Sequence, residues 1–496
     1  MTNLKIKKST HYAMKVHFSI LMFLWITSIC FSQHKNGRFY ATMNLRDAIE
    51  LQKDFPADID IIKSIGNEAA VLLTEEGSHL LHDKVLVHGP GYIFRASREE
   101  AVKNLTSIIE EKNSKVNFSI TEDESVNAAI NAINTQNIED HIKELENYGT
   151  RFHNTASSTQ SAQDLKVKWE TIASNYSRSD VSVRLYNHTN TPMPSVIMTI
   201  TGTELPDEFV VVGGHLDSII SGSDKSNAPG ADDDASGIAT ITEAIRALFE
   251  INFRPKRTIE VMAYAAEEIG LVGSTEIAKD YKAKNINVIA VSQFDMTNYN
   301  GSGTDVYFIE DNTDATLNSF FKQLISHYNA SGTHQITYGT ALCGYACSDH
   351  ASWHREGYDA TFPFEASFAS RNPNIHTPND TFSISGTANH AAKFAKLCTE
   401  FLIEIAKSEG NLSVDDFENK GYTIYVDNEN IVYTSASSNA PISKLIIYDI
   451  TGKTVFTKSD LGNSGSIKLS NINPGLYIVT AELTNKNKMV QKIILE

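Results

Sequence analysis

The chain has 496 residues, enough for about three domains. Apolar residues make up 41% and charged residues 21%, a globular balance that excludes a disordered polyelectrolyte or a collagen-like chain. With 43 Lys and Arg against 60 Asp and Glu, the net charge of −17 argues against a nucleic-acid partner and suits a site that attracts cations.

The chain opens with Lys5, Lys7, Lys8 and Lys15, followed by an apolar run over 16–31 and small residues around Cys30-Phe31-Ser32. This pattern predicts an export signal over residues 1–32, cut before Gln33. The run is shorter than the ~20 residues a membrane span needs. Four cysteines in all are too few for a disulfide scaffold, although export lets a disulfide persist.

Residues 34–111 make a small α+β unit. Helical spacing covers 45–53 and 99–111, short strands are expected at 69–73, 85–87 and 92–94, and His88-Gly89-Pro90-Gly91 is a turn. A compact unit between a signal and a larger domain has the position of a pro-segment. The mostly polar stretch 113–122 reads as a linker.

From about 123 to 409, strands alternate with helices. Strands are expected at 196–201, 209–213, 257–265 and 288–294, and helices at 236–249, 275–284 and 388–406. This alternation predicts an α/β domain with a largely parallel sheet. The tail then changes character. Seven short β runs (423–426, 431–434, 444–450, 454–457, 466–469, 476–481 and 489–495), separated by turn signals, predict a small β-sandwich.

Candidate chemistry gathers at the ends of the expected parallel strands, where α/β sheets place their sites. One strand runs into His215, with Asp217 two residues on to orient its imidazole. Asp232, Asp233 and Asp234 stand at a helix entry, where one carboxylate can bridge two metals and another can cap the helix. A second strand ends in Glu267-Glu268, a third in Asp295, and a later loop carries His376. Two histidines and at least three carboxylates suit a pair of zinc ions, each held by three protein ligands and sharing a bridging carboxylate.

Residues 213–218, 228–237 and 263–268 closely resemble the motifs of the secreted co-catalytic di-zinc aminopeptidases, the bacterial leucyl aminopeptidase family. Residues 295–299, 343–350 and 375–377 extend the match, which covers roughly 120–408. The resemblance implies a mixed, largely parallel central sheet flanked by helices, of the zinc-exopeptidase type. It implies that His215 and Asp295 hold one zinc and Glu268 and His376 the other, with Asp233 as the bridge. Glu267 becomes the general base, Tyr345 the donor to the developing oxyanion, and Asp217 the partner of His215. Met296 and Phe364, with Ile309, Phe362, Phe368 and Ile375, would line the side-chain pocket. Arg371 departs from the aromatic residue that relatives can carry there, which bears on the pocket rim.

Cys343 and Cys347 read as a short loop disulfide shaping the pocket floor around Tyr345, a CxxxC metal or redox pair being the alternative. Cys398, in a helical pattern, reads as a buried free thiol. By resemblance, residues 33–118 are an inhibitory pro-segment and 119–409 the catalytic domain. Within 410–496, the stretches 448–453 and 473–477 resemble a type IX secretion sorting domain. The implied protein is an exported, monomeric zymogen, carried across the outer membrane by that secretion machinery, that acts on peptide N-termini. Rival readings are a carboxypeptidase-like or cyclising zinc hydrolase, for which Arg371 is the one basic candidate to read a substrate carboxylate, and an inactive binding ectodomain.

Overall fold

The structure, a computed structural model, describes residues 37–84, 88–106, 118–222, 224–407, 422–427, 430–435, 441–449, 452–469, 472–484 and 488–495. The expected leader, the strand at 85–87, the distal part of the helix at 99–111 and the first half of the linker lie outside these residues. The chain divides into two compact units, one ending at residue 409 and the other beginning at 410.

The first unit begins with a small α+β layer: β1 (Arg38–Asn44), α1 (Leu45–Asp54), β2 (Ile59–Ile65), β3 (Glu68–Thr74), α2 (Glu75–Lys84), β4 (Tyr92–Arg95) and α3 (Arg98–Asn104). Its strands form one antiparallel sheet in the order β2-β3-β1-β4. The Asn44 side chain accepts from the Arg46 amide and starts α1, as Asx caps do. Ala48 and Leu51 of that helix are buried with Met43, Val71 and Leu73 of the sheet. Helices α1 and α3 start within a residue of the periodicity's expectation; β1 and β2 were not singled out by it.

The larger layer follows with α4 (Asp123–Ala132), α5 (Thr135–Glu146), α6 (Ala156–Asn175), β5 (Val181–Tyr186), β6 (Ser195–Ile200), β7 (Leu205–His215), α7 (Ala235–Glu250), β8 (Arg257–Tyr264), α8 (Val272–Ala283), β9 (Asn287–Gln293), β10 (Val306–Ile309), α9 (Ala315–Tyr328), β11 (Tyr338–Ala341), α10 (His350–Arg355), β12 (Ala360–Thr361), β13 (Pro363–Phe364) and α11 (Ala391–Ala406). Six strands make the central sheet in the order β12-β9-β7-β8-β6-β5. The links β12–β9–β7–β8 are parallel, and β8–β6–β5 are antiparallel. The expected mixed, largely parallel sheet is therefore present.

The sheet is covered on both faces, and β7 shows why its stretch 209–214 is continuously apolar. Val210 and Val212 belong to the main core with α7 and α11. Val211 points the other way, into a second core with Ile277 of α8 and Trp353 of α10. Alternate side chains of a strand face opposite sides, so a strand buried on both sides needs no polar position.

The second half of the expected linker is docked. Phe118 and Ile120 pack on the main core, and the amides of Thr121 and Glu122 each donate to the Glu404 carboxylate of α11 at 2.9 Å. Residues 118–122 thus belong to the large layer, because a buried carboxylate needs donors.

The second unit holds β14 (Tyr422–Asp427), β15 (Asn430–Ser435), β16 (Ile442–Asp449), β17 (Thr454–Gly462), β18 (Ser464–Lys468), β19 (Gly475–Leu483) and β20 (Lys488–Leu495). Sheet β14-β15-β18 and sheet β17-β16-β19-β20 share one core, with Ile431, Tyr433 and Ile467 against Leu445, Ile447, Val479 and Ile493. It is a two-sheet sandwich, as expected. Among the described residues, no helix is long and apolar enough to cross a membrane.

Candidate metal centre and active site

Parallel pairing brings the C-terminal ends of β7, β8 and β9 to one edge, and the expected ligands meet there. His215 ends β7, Glu267 and Glu268 follow β8, and Asp295 follows β9. The chain passes so close at this edge that side chains are excluded. A Cβ on Gly213 would lie 2.3 Å from the Tyr264 ring, and one on Gly214 would lie 2.7 Å from Asp234 Oδ2. Asp234 is what fastens the edge together. It accepts from the amides of His215 (3.0 Å), Gly237 (2.7 Å) and Met296 (3.1 Å), so one carboxylate ties β7, the first turn of α7 and the end of β9. Asp232 accepts from the Asn298 amide and the Asn372 side chain. Both outer aspartates of the triplet are therefore occupied in holding the backbone.

The middle one, Asp233, faces both histidines. Its Oδ1 lies 2.9 Å from His215 Nε2 and its Oδ2 lies 3.2 Å from His376 Nε2. Two groups of candidate ligands result. His215, Asp233 and Asp295 converge with ligand atoms within 4.8 Å of one another, and so do Asp233, Glu268 and His376. His215 Nε2 stands 3.5 Å from Asp295 Oδ1, and His376 Nε2 stands 3.1 Å from Glu268 Oε2. Both oxygens of Glu267 and Oε1 of Glu268 are buried without a hydrogen-bond partner among the described residues. Buried polar atoms are rarely left so, and converging imidazoles and carboxylates of this kind fit zinc.

Asp217 plays a broader part than expected. Its carboxylate accepts from the amides of Glu267 (3.0 Å) and Glu268 (3.2 Å), fixing that turn. His215 Nδ1 lies 3.1 Å from the Asp217 backbone carbonyl and 3.6 Å from its carboxylate. Backbone strain marks the same places: Ala266, Met296 and His376 have φ near +55° without being glycine, a conformation that persists where the surroundings enforce it. Burial raises the pKa of Asp295, but the imidazoles of His88 and His215 outweigh it and hold the carboxyl at about 2. Burial pushes Glu267 well above the usual carboxylate range, and the neighbouring Glu268, Asp349 and Asp295 add to this against the pull of His215.

Cys343 and Cys347 are joined as a disulfide, and Tyr345 sits within the loop it closes. Cys398 is a buried free thiol. The expected pocket residues Met296, Ile309, Phe362, Phe364 and Ile375 form one apolar cluster with Cys347, and Tyr345 and Phe368 pack at its edge. Arg371 lies over the Phe368 ring and donates to the Phe368 carbonyl at 2.7 Å, which puts its cation at that rim.

One residue at the site was read only as part of a turn. His88, between α2 and β4, is fully buried among the candidate ligands, with Nε2 3.0 Å from Asp295 Oδ2 and 3.8 Å from Asp233 Oδ1. The hydroxyl of Tyr345 donates to its carbonyl. A histidine set among glycines and proline, ahead of a domain rich in metal ligands, is the sequence signal available for it.

An α/β fold that gathers imidazoles and carboxylates at the C-terminal edge of its parallel strands is suited to holding metal ions there. The signature of peptidase family M28 matches residues 195–401, and a domain family of unknown function (DUF8694) matches 412–495. A probable leucine aminopeptidase of Arthroderma benhamiae is 32% identical over 331 residues, covering 66% of this chain and 87% of that protein. Among solved structures, the LapA aminopeptidase of Legionella pneumophila is similar at 30% identity and a TM-score of 0.65, covering 74% of this chain and 98% of its own. LapB of the same organism has 27% identity and the same TM-score, covering 74% and 99%. The chain belongs to peptidase family M28. It is a zinc-dependent aminopeptidase.

Proposed function

We propose that this chain is an exported di-zinc aminopeptidase that removes an apolar, leucine-like residue from peptide N-termini, and that its N-terminal layer keeps it latent. The observation that carries the reading is Asp233, whose two carboxylate oxygens face the imidazoles of His215 and His376 separately. One carboxylate serving two ligand groups suits a pair of ions sharing a bridge. His215 and Asp295 would hold one zinc, Glu268 and His376 the other. When bound, the ions supply Lewis-acid polarisation of the scissile carbonyl and lower the pKa of water.

The chain's own residues do the rest. Glu267 accepts a proton from the attacking water and delivers it to the leaving amine as the C–O bond forms and the C–N bond breaks. Tyr345 donates to the oxyanion that develops on the scissile carbonyl. Asp217 positions Glu267 through its amide. The apolar wall of Met296, Ile309, Phe362, Phe364 and Ile375 favours an apolar side chain, in accord with the name of the Arthroderma relative. Carboxylates beside the ions favour a free substrate amine, which supports exopeptidase action.

Export rests on the basic, then apolar, leader. The two-sheet sandwich, with the resemblance of 448–453 and 473–477 to a type IX sorting domain, supports a sorting role for residues 410–496. The test is a panel of amino-acid anilides and peptides assayed after removal of the N-terminal layer, with and without chelator. Leucine and other large apolar residues should be released at least tenfold faster than charged ones, and chelation should abolish turnover until zinc is restored. Release from N-blocked substrates, or activity indifferent to chelator, would contradict the proposal.

A further inference from the structure

His88 is buried with neither ring nitrogen in a hydrogen bond among the described residues. Its Nε2 nonetheless belongs to a compact set with His215, Asp233 and Asp295. His88 Nε2 lies 3.0 Å from Asp295 Oδ2 and 3.8 Å from Asp233 Oδ1, and His215 Nε2 lies 2.9 Å from the same Asp233 Oδ1 and 3.5 Å from the other Asp295 oxygen, Oδ1. Four donors at about 2.0–2.1 Å from a tetrahedral zinc lie roughly 3.3–3.4 Å apart. The separations scatter about that value. A catalytic zinc keeps three protein ligands and an open fourth position, and here a fourth protein donor stands ready to fill it.

We infer that His88 is a ligand of the His215–Asp233–Asp295 zinc in the uncleaved chain, so that latency is an imidazole occupying the coordination position catalysis needs. The inference rests on the di-zinc reading above. The surroundings of His88 are built for this seat. Its ring packs against Phe364 and Phe362, with centroids 5.6 and 6.1 Å away, within the side-chain pocket wall. Its carbonyl takes the Tyr345 hydroxyl, the donor the oxyanion requires. Gly89, at φ +72°, runs so near that a Cβ would lie 2.6 Å from the Cys347 carbonyl and 3.1 Å from Glu267 Oε1. Beyond it, Ile93 buries with Leu271, Ala346 and Ala351, and the Phe94 amide donates to the Gly270 carbonyl at 3.0 Å. One short stretch therefore occupies the metal, the oxyanion donor and the approach to the base together. Tethering gives it a high effective concentration, and cleavage between residues 106 and 118 would remove that advantage.

The test is zinc-edge X-ray absorption on the zinc-loaded full chain, on its His88→Ala variant, and on wild-type protein cleaved between 106 and 118 and freed of the N-terminal layer. Three imidazoles shared by two ions are expected in the full chain, and two in the other samples. His88→Ala should also raise the activity of the uncleaved chain at least tenfold. The same imidazole count in all three samples would overturn the inference. Should His88→Ala not fold, the cleaved wild type carries the comparison by itself. Zinc content and activity of the cleaved enzyme are read separately: their failure would sink the di-zinc reading, whereas an unchanged imidazole count with both intact would sink only the role of His88.

Discussion

Glu267 and Glu268 are adjacent, equally buried and chemically alike, yet the backbone divides their work. Ala266, at φ +56°, turns the chain, and the Asp217 carboxylate takes both following amides. Glu268 is thereby brought to His376, while Glu267 keeps both oxygens without a hydrogen-bond partner among the described residues. Glu267→Gln is expected to lower kcat by roughly 10²–10⁴-fold, the usual contribution of a general base, with zinc content unchanged by elemental analysis. Loss of zinc along with rate would make Glu267 a ligand instead. His215, Glu267, Glu268 and Asp295 were readable because each ends or follows a strand, and Asp233 because it stands at a helix entry, whereas His376 lies in a loop and was readable through its motif. His88 was not, because its partners come from β7, β9 and the α7 entry, far from it in sequence, and the turn around it is only a weak signal.

At the scale of elements, an apolar stripe made some helices readable but not all: α9 buries Leu317, Phe320, Phe321, Leu324 and Ile325 at helical spacing and was not singled out. Helix α7 was readable because Ile238, Ile241, Ile245 and Leu248 repeat at helical spacing and are all buried. Helix α6 was not, because its buried face includes Ser158, Ser161 and Ala162 beside Leu165, Trp169 and Ala173, so close packing is achieved with small, partly polar residues. Helix α11 was readable although it buries two carboxylates. Glu404 is satisfied by the Thr121 and Glu122 amides and by Lys407. Among the described residues, Glu400 takes one hydrogen bond, from Asn329 at 2.9 Å. Burial pushes its pKa up to about 8, with Asn329 and Lys396 opposing and Glu404 adding. An acid whose folded pKa lies above its unfolded value stabilises the fold fully below the unfolded value, and that contribution is lost as pH rises through the folded one. The fold should thus lose stability between about pH 5 and pH 8, by up to a few kcal/mol from this group. Glu400→Gln is expected to flatten that slope, read by denaturant unfolding at the two pH values. An equal slope in the variant would mean that Glu400 is charged in the folded protein.

At the scale of the whole molecule, the N-terminal layer and the large α/β layer form one compact unit, and the terminal sandwich forms another. The terminal sandwich has its own periodicity and its own core. What pattern alone did not convey is how deeply the first layer enters the second, since an insertion of one loop into a metal site leaves no periodic trace. The claim on which the rest depends is that two zinc ions act together on the Asp233 bridge. The most direct measurement is a zinc titration of the metal-stripped enzyme, freed of its N-terminal layer, following hydrolysis of a leucyl anilide and bound zinc together. Activity is expected to be full only when two zinc ions are bound per chain. Full activity with one tightly bound ion, or with none, would contradict it.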